Sequence, residues 1–380
     1  MTGMAQPKMN QAKMNSILVL VPPEAEQLRI VTKVNELMSL CDHLEQQTKT
    51  SLTAHTTLVE NLLATLTSGT DAAEWTTATD GGSVENAGAI FDQNWHRIAE
   101  HFTTLFTTEA SIDQLKQTVL QLAVMGKLVP QDPNDEPASV LLEKIAAEKA
   151  QLIKEKKIKK QKPLLPIEEG EKPFALSNGW EWCRFDNIAK NEKNALKAGP
   201  FGSALKKSMY VTSGYKIYGQ EQVISGDENL GDYFINEEKY LSLETCKVQE
   251  GDILISLVGT IGKVLIISDK AAQGIINPRL VKLSLFETVC REYIRIILGS
   301  RLIQDELYDK SHGSTMNVLN LGLLRGLIFP FPPVEEQRRI ITKVDQLMSI
   351  CDQLKTHLQQ AQQTRLHLAD AVVEEALAKD

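Results

Sequence analysis

Apolar residues near the C-terminus recur at alternating steps of four and three. This series consists of Ile340, Val344, Leu347, Cys351, Leu354 and Leu358. A matching series near the N-terminus consists of Ile30, Val34, Leu37, Cys41 and Leu44. Such a narrow seam is typical of a long helix that packs along a partner helix in a coiled coil. The pattern therefore predicts two long helices, each about 55–65 Å long at 1.5 Å per residue.

The two seams belong to an internal repeat. PPEAEQLRIVTKVNELMSLCDHL begins at Pro22 and PPVEEQRRIITKVDQLMSICDQL begins at Pro332, and 15 of the 23 aligned positions are identical. Such similarity indicates that the copies share a fold, and the proline pairs suit the start of a helix. Because a long apolar seam needs a partner, each copy is the obvious partner for the other. The pairing could form within one chain or between two chains.

Residues 180–331 show a different pattern. Short β-like runs alternate with turns that contain glycine, as in GYKIYGQ and GDILISLVGTIGK, and a helix is predicted at about 288–308. We expect a mixed α/β domain with a curled antiparallel sheet here. Together with the long helices, this predicts an α+β chain.

The pattern divides the chain into five regions. Residues 1–67 and 332–380 hold the long helices, 68–110 form a loop or linker, 111–179 form a helical central region, and 180–331 form the β-rich domain. In the central region, a capping box at Ser111 predicts a helix start and Gly126 its end. A second amphipathic helix is predicted over about 138–160.

Composition narrows the functional class. The chain has 380 residues, of which 42% are apolar and 24% are charged, as in ordinary soluble domains. It shows no apolar run long enough for a membrane span and no secretory leader, and its five scattered cysteines predict a reduced, cytoplasmic protein. The net charge of −8 argues mildly against nucleic acid. However, residues 190–216 carry six lysines and one acid, which predicts a local basic patch.

Known catalytic patterns do not match. GTIGK (259–263) lacks the spacing of a nucleotide phosphate loop, and Asn277-Pro278-Arg279 is not the signature of amino-methyltransferases. The seven histidines show no metal-ligand spacing, and no glycine-rich cofactor loop follows a strand. The sequence predicts no active site, no metal and no cofactor in this chain.

Several stretches resemble the specificity subunits of type I restriction–modification systems. They are GPFGSALKK (199–207), GDILISLVGTIGK (251–263), INPRLV (276–281), HGSTMNVLN (312–320), the repeat at Pro332, and the central segment that begins SIDQLKQTVLQLAVMGKLVPQDP. The resemblance covers nearly the whole chain. It implies a non-catalytic subunit that recognises double-stranded DNA through a target-recognition domain. It also implies a methyltransferase subunit that brings S-adenosylmethionine, and a restriction subunit that brings ATP and Mg²⁺.

This chain departs from the family pattern in one respect. Members of that family carry two target-recognition domains, each followed by a long helix, whereas this sequence has one. A homodimer would supply the second domain, or the chain would pair with another protein.

The resemblance implies which residues contact DNA. We expect phosphate contacts from Lys193, Lys197, Lys206, Lys207 and Lys263. Close approach of the backbone is expected at Gly199, Gly202, Gly259 and Gly262. Base edges would be read by Ser203, Gln220, Gln222, Thr260, Arg279, Ser314 and Asn317. Two alternatives stay open, namely a coiled-coil scaffold protein and a stand-alone DNA-binding regulator.

Overall fold

A computed structural model of the chain describes residues 11–67, 93–158, 166–257, 262–311 and 321–378. The helices are α1 (Gln11–Asn15), α2 (Glu24–Thr67), α3 (93–100), α4 (Phe102–Leu105), α5 (Glu109–Val124), α6 (Ala138–Lys154), α7 (Phe185–Ile188), α8 (Gln220–Ser225), α9 (Glu237–Ser242), α10 (Arg291–Gly299), α11 (Arg301–Ser311), α12 (Leu321–Gly326) and α13 (Val334–Ala378). None of the described helices combines the length and apolar character that crossing a membrane requires.

The strands all lie between residues 181 and 331 of the described chain. They are β1 (Glu181–Arg184), β2 (Leu196–Ala198), β3 (Tyr215–Tyr218), β4 (Phe234–Ile235), β5 (Lys247–Val248), β6 (Ile253–Ser256), β7 (Val264–Ile266), β8 (Gly274–Ile276), β9 (Leu280–Leu283) and β10 (Ile328–Phe331). The α+β class predicted from the sequence is confirmed.

Both copies of the repeat form long helices, as predicted. α2 has 44 residues and α13 has 45, which corresponds to about 66 Å each. The chain separates into two units, residues 1–58 and 59–380, so most of α2 belongs to the first unit. In that unit the predicted seam of α2 is exposed to solvent, including Ile30, Val34, Leu37, Cys41 and Leu44.

The same seam is buried at the start of α13. Ile340 and Val344 lie in a core that also contains Tyr293 and Ile297 of α10. Further along, Cys351, with Leu354 and Leu358 packed beside it, shares a second core with residues of α5 and with the last turns of α2, from Val59 to Leu66. The prediction that the two repeat copies cover each other along the seam is therefore wrong for the start of α13. A heptad pattern shows that a helix needs a partner, but it does not identify which one.

Polar contacts also attach α5 to α13. Lys116 pairs with Asp352, and the Lys355 ammonium lies 3.0 Å from an Asp113 carboxylate oxygen. The Gln359 amide donates to Glu109 at 3.0 Å. Because contacts near the surface contribute little, the apolar core below them is the main source of stability.

Some helix boundaries differ from the sequence predictions. α5 begins at Glu109 because Thr108 is the N-cap, and Ser111 forms the other half of that capping box. α6 ends at Lys154, and the left-handed backbone of Lys156 (φ 60°) prevents its continuation to 160. The single helix predicted at 288–308 is broken at Ser300, whose hydroxyl donates to the Ile297 carbonyl at 2.7 Å.

The described residues of the β-rich region form two four-stranded sheets and one two-stranded sheet. Their strand orders are β2-β9-β6-β7, β4-β3-β8-β5 and β1-β10. All pairs are antiparallel except β3 with β8, which is parallel, so one sheet is mixed rather than purely antiparallel as predicted. The pairing of β1 with β10 places Glu181 opposite Phe331, and the region thus begins and ends at one place.

A buried polar contact joins this region to α13. The Trp180 indole N–H donates to the Glu336 carboxylate at 2.9 Å, and Glu336 is buried. Burial raises the pKa of Glu336 to about 7, although the Trp180 hydrogen bond and the nearby Arg339 act in the opposite direction. Next to it, the Gln337 amide oxygen accepts from the Cys290 backbone N–H at 3.2 Å. The start of α13 is therefore held by specific hydrogen bonds as well as by apolar packing.

Candidate nucleic-acid interface

Strands from both four-stranded sheets end at one edge of the β-rich region. β3 and β8 run in parallel and end together, with Tyr218 opposite Ile276. β2 and β6 both end opposite the first two residues of β9. Because only residues 277–279 connect β8 to β9, the ends of all four strands meet around this short connection. We call Gly199, Gln220, Ser256, Asn277 and Arg279 the strand-end edge.

Close backbone packing determines the shape of this edge. A Cβ atom on Gly199 would lie 1.9 Å from the carbonyl oxygen of Asn277, so only glycine fits there. The Gly199 N–H donates to the Leu280 carbonyl at 3.0 Å, which fixes the chain as it leaves β2. The predicted close approach at Gly199 is therefore an approach to the protein's own backbone.

Hydrogen bonds link the polar side chains of the strand-end edge. Gln220 donates its amide to the Ser256 hydroxyl at 2.9 Å and accepts from the Arg279 guanidinium at 3.2 Å. The Asn277 side-chain oxygen accepts from the Arg279 backbone N–H at 2.8 Å. Arg279 itself is exposed. The edge thus presents an oriented guanidinium with several N–H donors, a group suited to carbonyl and ring-nitrogen acceptors of a guanine edge or to phosphate.

The lysines of the predicted basic patch differ in their exposure to solvent. Lys193, Lys206, Lys207 and Lys263 are exposed, and Lys197 is half-buried. Lys216, which also lies in the lysine-rich segment, is instead buried near the Tyr218 ring, with its ammonium 6.0 Å from the ring centre. Lys216 therefore adds no charge to the surface.

One predicted base-reading residue has a different role. Gln222 is 0% exposed, its amide oxygen accepts from the Gly219 N–H at 2.7 Å, and its amide N–H donates to the Leu230 carbonyl at 2.6 Å. The side chain thus holds a loop from inside and is not placed to read a base. Ser203 and Gly202 are exposed in the loop after β2, and Gly262 is buried. The predictions for Gly259, Thr260, Ser314 and Asn317 lie outside the described residues.

Phe201 is an exposed residue that the sequence reasoning did not select. Its side chain is 70% exposed, two residues after Gly199 of the strand-end edge. The signal in the sequence was a large aromatic residue between two glycines in GPFGS, where a core position is improbable.

The described residues show no metal site. Among them, no group of three or more His, Cys, Asp or Glu side chains could hold a metal ion. The described cysteines are free thiols, and burial raises the pKa of the Cys183, Cys290 and Cys351 thiols, so these thiols stay protonated and inert near neutral pH.

The chain matches known proteins over most of its length. Residues 153–362, more than half of the chain, match the family described as type I restriction modification DNA specificity domain. The chain is 44% identical over 362 residues to the type I restriction enzyme EcoAI specificity subunit of Escherichia coli, covering 94% of this chain and 57% of that one. It is 39% identical over 386 residues to the EcoEI specificity subunit of the same organism, covering 99% and 61%. The chain thus spans less than two thirds of these curated relatives.

Solved structures show a weaker likeness. The type I restriction–modification S subunit from M. genitalium aligns over 74% of this chain and 57% of its own length, with a TM-score of 0.36 and 14% identity. The S subunit from Thermoanaerobacter tengcongensis aligns over 80% of this chain and 65% of its own length, with a TM-score of 0.37 and 16% identity.

Proposed function

Because the chain belongs to the type I restriction–modification DNA specificity family, we propose that it selects the DNA site on which partner subunits act and catalyses no reaction itself. The observation that carries this proposal is the strand-end edge. It combines an exposed, oriented Arg279 with Gln220 at the meeting point of four strand ends. A rigid set of donors and acceptors of this kind is what recognition of base edges requires.

The surrounding lysines would supply affinity rather than sequence preference. Lys206 and Lys207 are exposed in the loop after β2, and Lys263 is exposed just before β7. Contacts from such side chains to phosphates position a protein on the duplex and make binding depend on salt. The acidic charge elsewhere on the chain suits protein partners better than DNA.

The catalytic steps would belong to those partners. We propose that a methyltransferase subunit brings S-adenosylmethionine and methylates adenine at the chosen site, while a restriction subunit brings ATP and Mg²⁺ and cleaves DNA. The long helices and the central region, residues 111–179, are the surfaces that we assign to these subunits. The assembly would work in the cytoplasm.

The exposed face of α2 matches a face of α13 that is buried, which suggests that α2 also binds a recognition domain. Ile30 is 49% exposed and Val34 is 50% exposed, whereas their repeat equivalents Ile340 and Val344 are 0% and 2% exposed. The buried polar Glu336 also has an identical counterpart, Glu26, in the first copy. We propose that another recognition domain covers this face of α2. A second copy of this chain is one source of that domain.

Sedimentation of the assembled complex measures its mass and so tests whether a second recognition domain binds to α2. Val34→Glu places a charge on the face to be covered, and we expect it to release the additional recognition domain. Thr32→Glu is the matched control, because its repeat equivalent Thr342 remains exposed. If both variants assemble like the unchanged chain, α2 is not the docking face.

DNA binding by the full chain, co-expressed with a type I methyltransferase subunit, tests the main proposal. Affinity for a duplex should fall with salt, and the double change Lys206→Gln, Lys207→Gln should reduce the log–log slope by about 2, close to one unit per lost phosphate contact. Lys49→Gln with Lys343→Gln, on the exposed faces of the long helices, is the control. Binding without salt dependence, or not at all, would overturn the proposal and favour a scaffold.

A further inference from the structure

The loop after β2 holds Phe201 firmly while leaving its side chain in water. On one side, Gly199 packs against the Asn277 carbonyl. On the other, the Ala204 N–H donates to the Phe201 carbonyl at 3.2 Å, and Leu205 is buried. Gly202 has a φ of 60°, which turns the chain sharply just after the phenylalanine. The backbone around Phe201 is therefore preorganised, although the ring is 70% exposed.

Burying such a ring would be strongly favourable. Covering a phenylalanine side chain improves an equilibrium constant by roughly tenfold to a hundredfold. Single exposed apolar residues are common on protein surfaces, so exposure alone assigns nothing. What distinguishes Phe201 is its place beside the strand-end edge, where Arg279 and Gln220 present donors and acceptors.

The chemistry of the major groove restricts what Phe201 can contact. The bidentate contacts by which arginine recognises guanine and glutamine recognises adenine lie in the major groove. The apolar group on a base edge there is the 5-methyl group of thymine, and phenylalanine is among the side chains that contact it. Apolar wedges that separate stacked bases usually enter from the minor groove instead.

We propose that Phe201 packs against the 5-methyl group of a thymine in the target site and makes that position part of the recognised sequence. This inference rests on the proposed function, because it needs the strand-end edge to bind duplex DNA. It adds a specificity-determining residue and names the base that this residue selects.

Selection from a library of random synthetic duplexes tests the proposal. The full chain, with its co-expressed methyltransferase subunit, should enrich one motif that contains a thymine, and Phe201→Ala should enrich the same motif with that position relaxed. Replacing that thymine with uracil removes one methyl group and should weaken binding by the unchanged chain about fourfold. The same replacement should not affect Phe201→Ala. Phe201→Leu keeps an apolar side chain and should retain part of the preference.

Leu241→Ala is the matched control. Leu241 is 57% exposed and lies on α9, which directly follows β4. The last residue of β4 pairs with the first residue of β3, whereas the strand-end edge lies at the last residue of β3. This variant should behave like the unchanged chain. If no motif is enriched at all, the proposed function fails and this inference fails with it. If a motif is enriched but Phe201→Ala selects it with unchanged preference at every position, only the inference fails. A further outcome uses 2-aminopurine, placed in the duplex as a fluorescent reporter of unstacked bases. If its fluorescence rises only when Phe201 is present, and replacing thymine with uracil has no effect, Phe201 is a wedge between bases and the inference is wrong.

Discussion

The stability of this protein should fall as the pH rises because Glu336 ionises, and replacing Glu336 with glutamine should remove that contribution. Glu336 lies in the first turn of α13, 1% exposed, with one carboxylate oxygen on the Trp180 indole N–H. Its other oxygen is buried and has no hydrogen-bond partner among the described residues. Glutamine keeps an oxygen that accepts from Trp180 and carries no charge to bury. The variant therefore changes ionisation while preserving shape.

The size and sign follow from the raised pKa. Burial raises the pKa of Glu336 from 4.5 to about 7, so the folded chain holds this proton more tightly than the unfolded chain does. The stabilisation from the protonated form is complete below pH 4.5 and is lost as the pH rises through about 7. Between pH 5 and pH 8.5 the loss is about 2–3 kcal/mol. Relative to the unchanged chain, Glu336→Gln should therefore gain about 2–3 kcal/mol over this interval.

Urea unfolding followed by tryptophan fluorescence measures this difference. Titrating groups away from this site contribute equally to both proteins, so the difference between the two pH profiles reports on Glu336. Glu335→Gln is the control, because Glu335 is exposed and its carboxylate lies 2.6 Å from an Arg338 nitrogen. If Glu336→Gln and the unchanged chain lose stability in parallel between pH 5 and pH 8.5, the buried carboxylate is not the cause.

Three further substitutions test other parts of the structure. Gly199→Ala forces a Cβ to 1.9 Å from a backbone oxygen and should cost more than about 2 kcal/mol in thermal unfolding, whereas Gly170→Ala, with open space around it, should be neutral. Cys351→Ser puts a hydroxyl into an apolar core and should cost about 1–3 kcal/mol, while Cys41→Ser, at the exposed equivalent position, should cost almost nothing in the isolated chain. Equal costs for the two cysteines would contradict the difference between the repeat copies. Arg279→Lys should weaken binding to the selected DNA motif by about 1–3 kcal/mol and leave binding to random duplex unchanged, which titration of both duplexes would check.

The sequence predicted the long helices well because helical periodicity is a local property. Alternating steps of four and three identified both seams, and the repeat gave both copies the same start. The partner of each seam could not be predicted in the same way. Val344 is buried in a core with residues of α10, nearly 50 positions earlier in the chain, and no pattern within α13 indicates that contact.

In the candidate site, too, the sequence predicts the chemistry of a side chain but not the direction in which it points. Gln220 and Gln222 are two positions apart in α8 and have the same chemistry. Gln220 reaches the strand-end edge and Gln222 points into the domain, where it bonds to Gly219 and Leu230. For Phe201, the usual burial of aromatic residues opposes the local signal of the glycines on either side, and the structure shows the ring exposed to water.

The most direct test is a map of methylated adenines in cells that express this chain together with a type I methyltransferase subunit. If residues 180–331 choose the site through the strand-end edge, methylation will occur in one motif, and Arg279→Ala will change or abolish that motif while the protein still assembles. Methylation of the same motif at the same level in Arg279→Ala, Gln220→Ala and their combination would contradict the account.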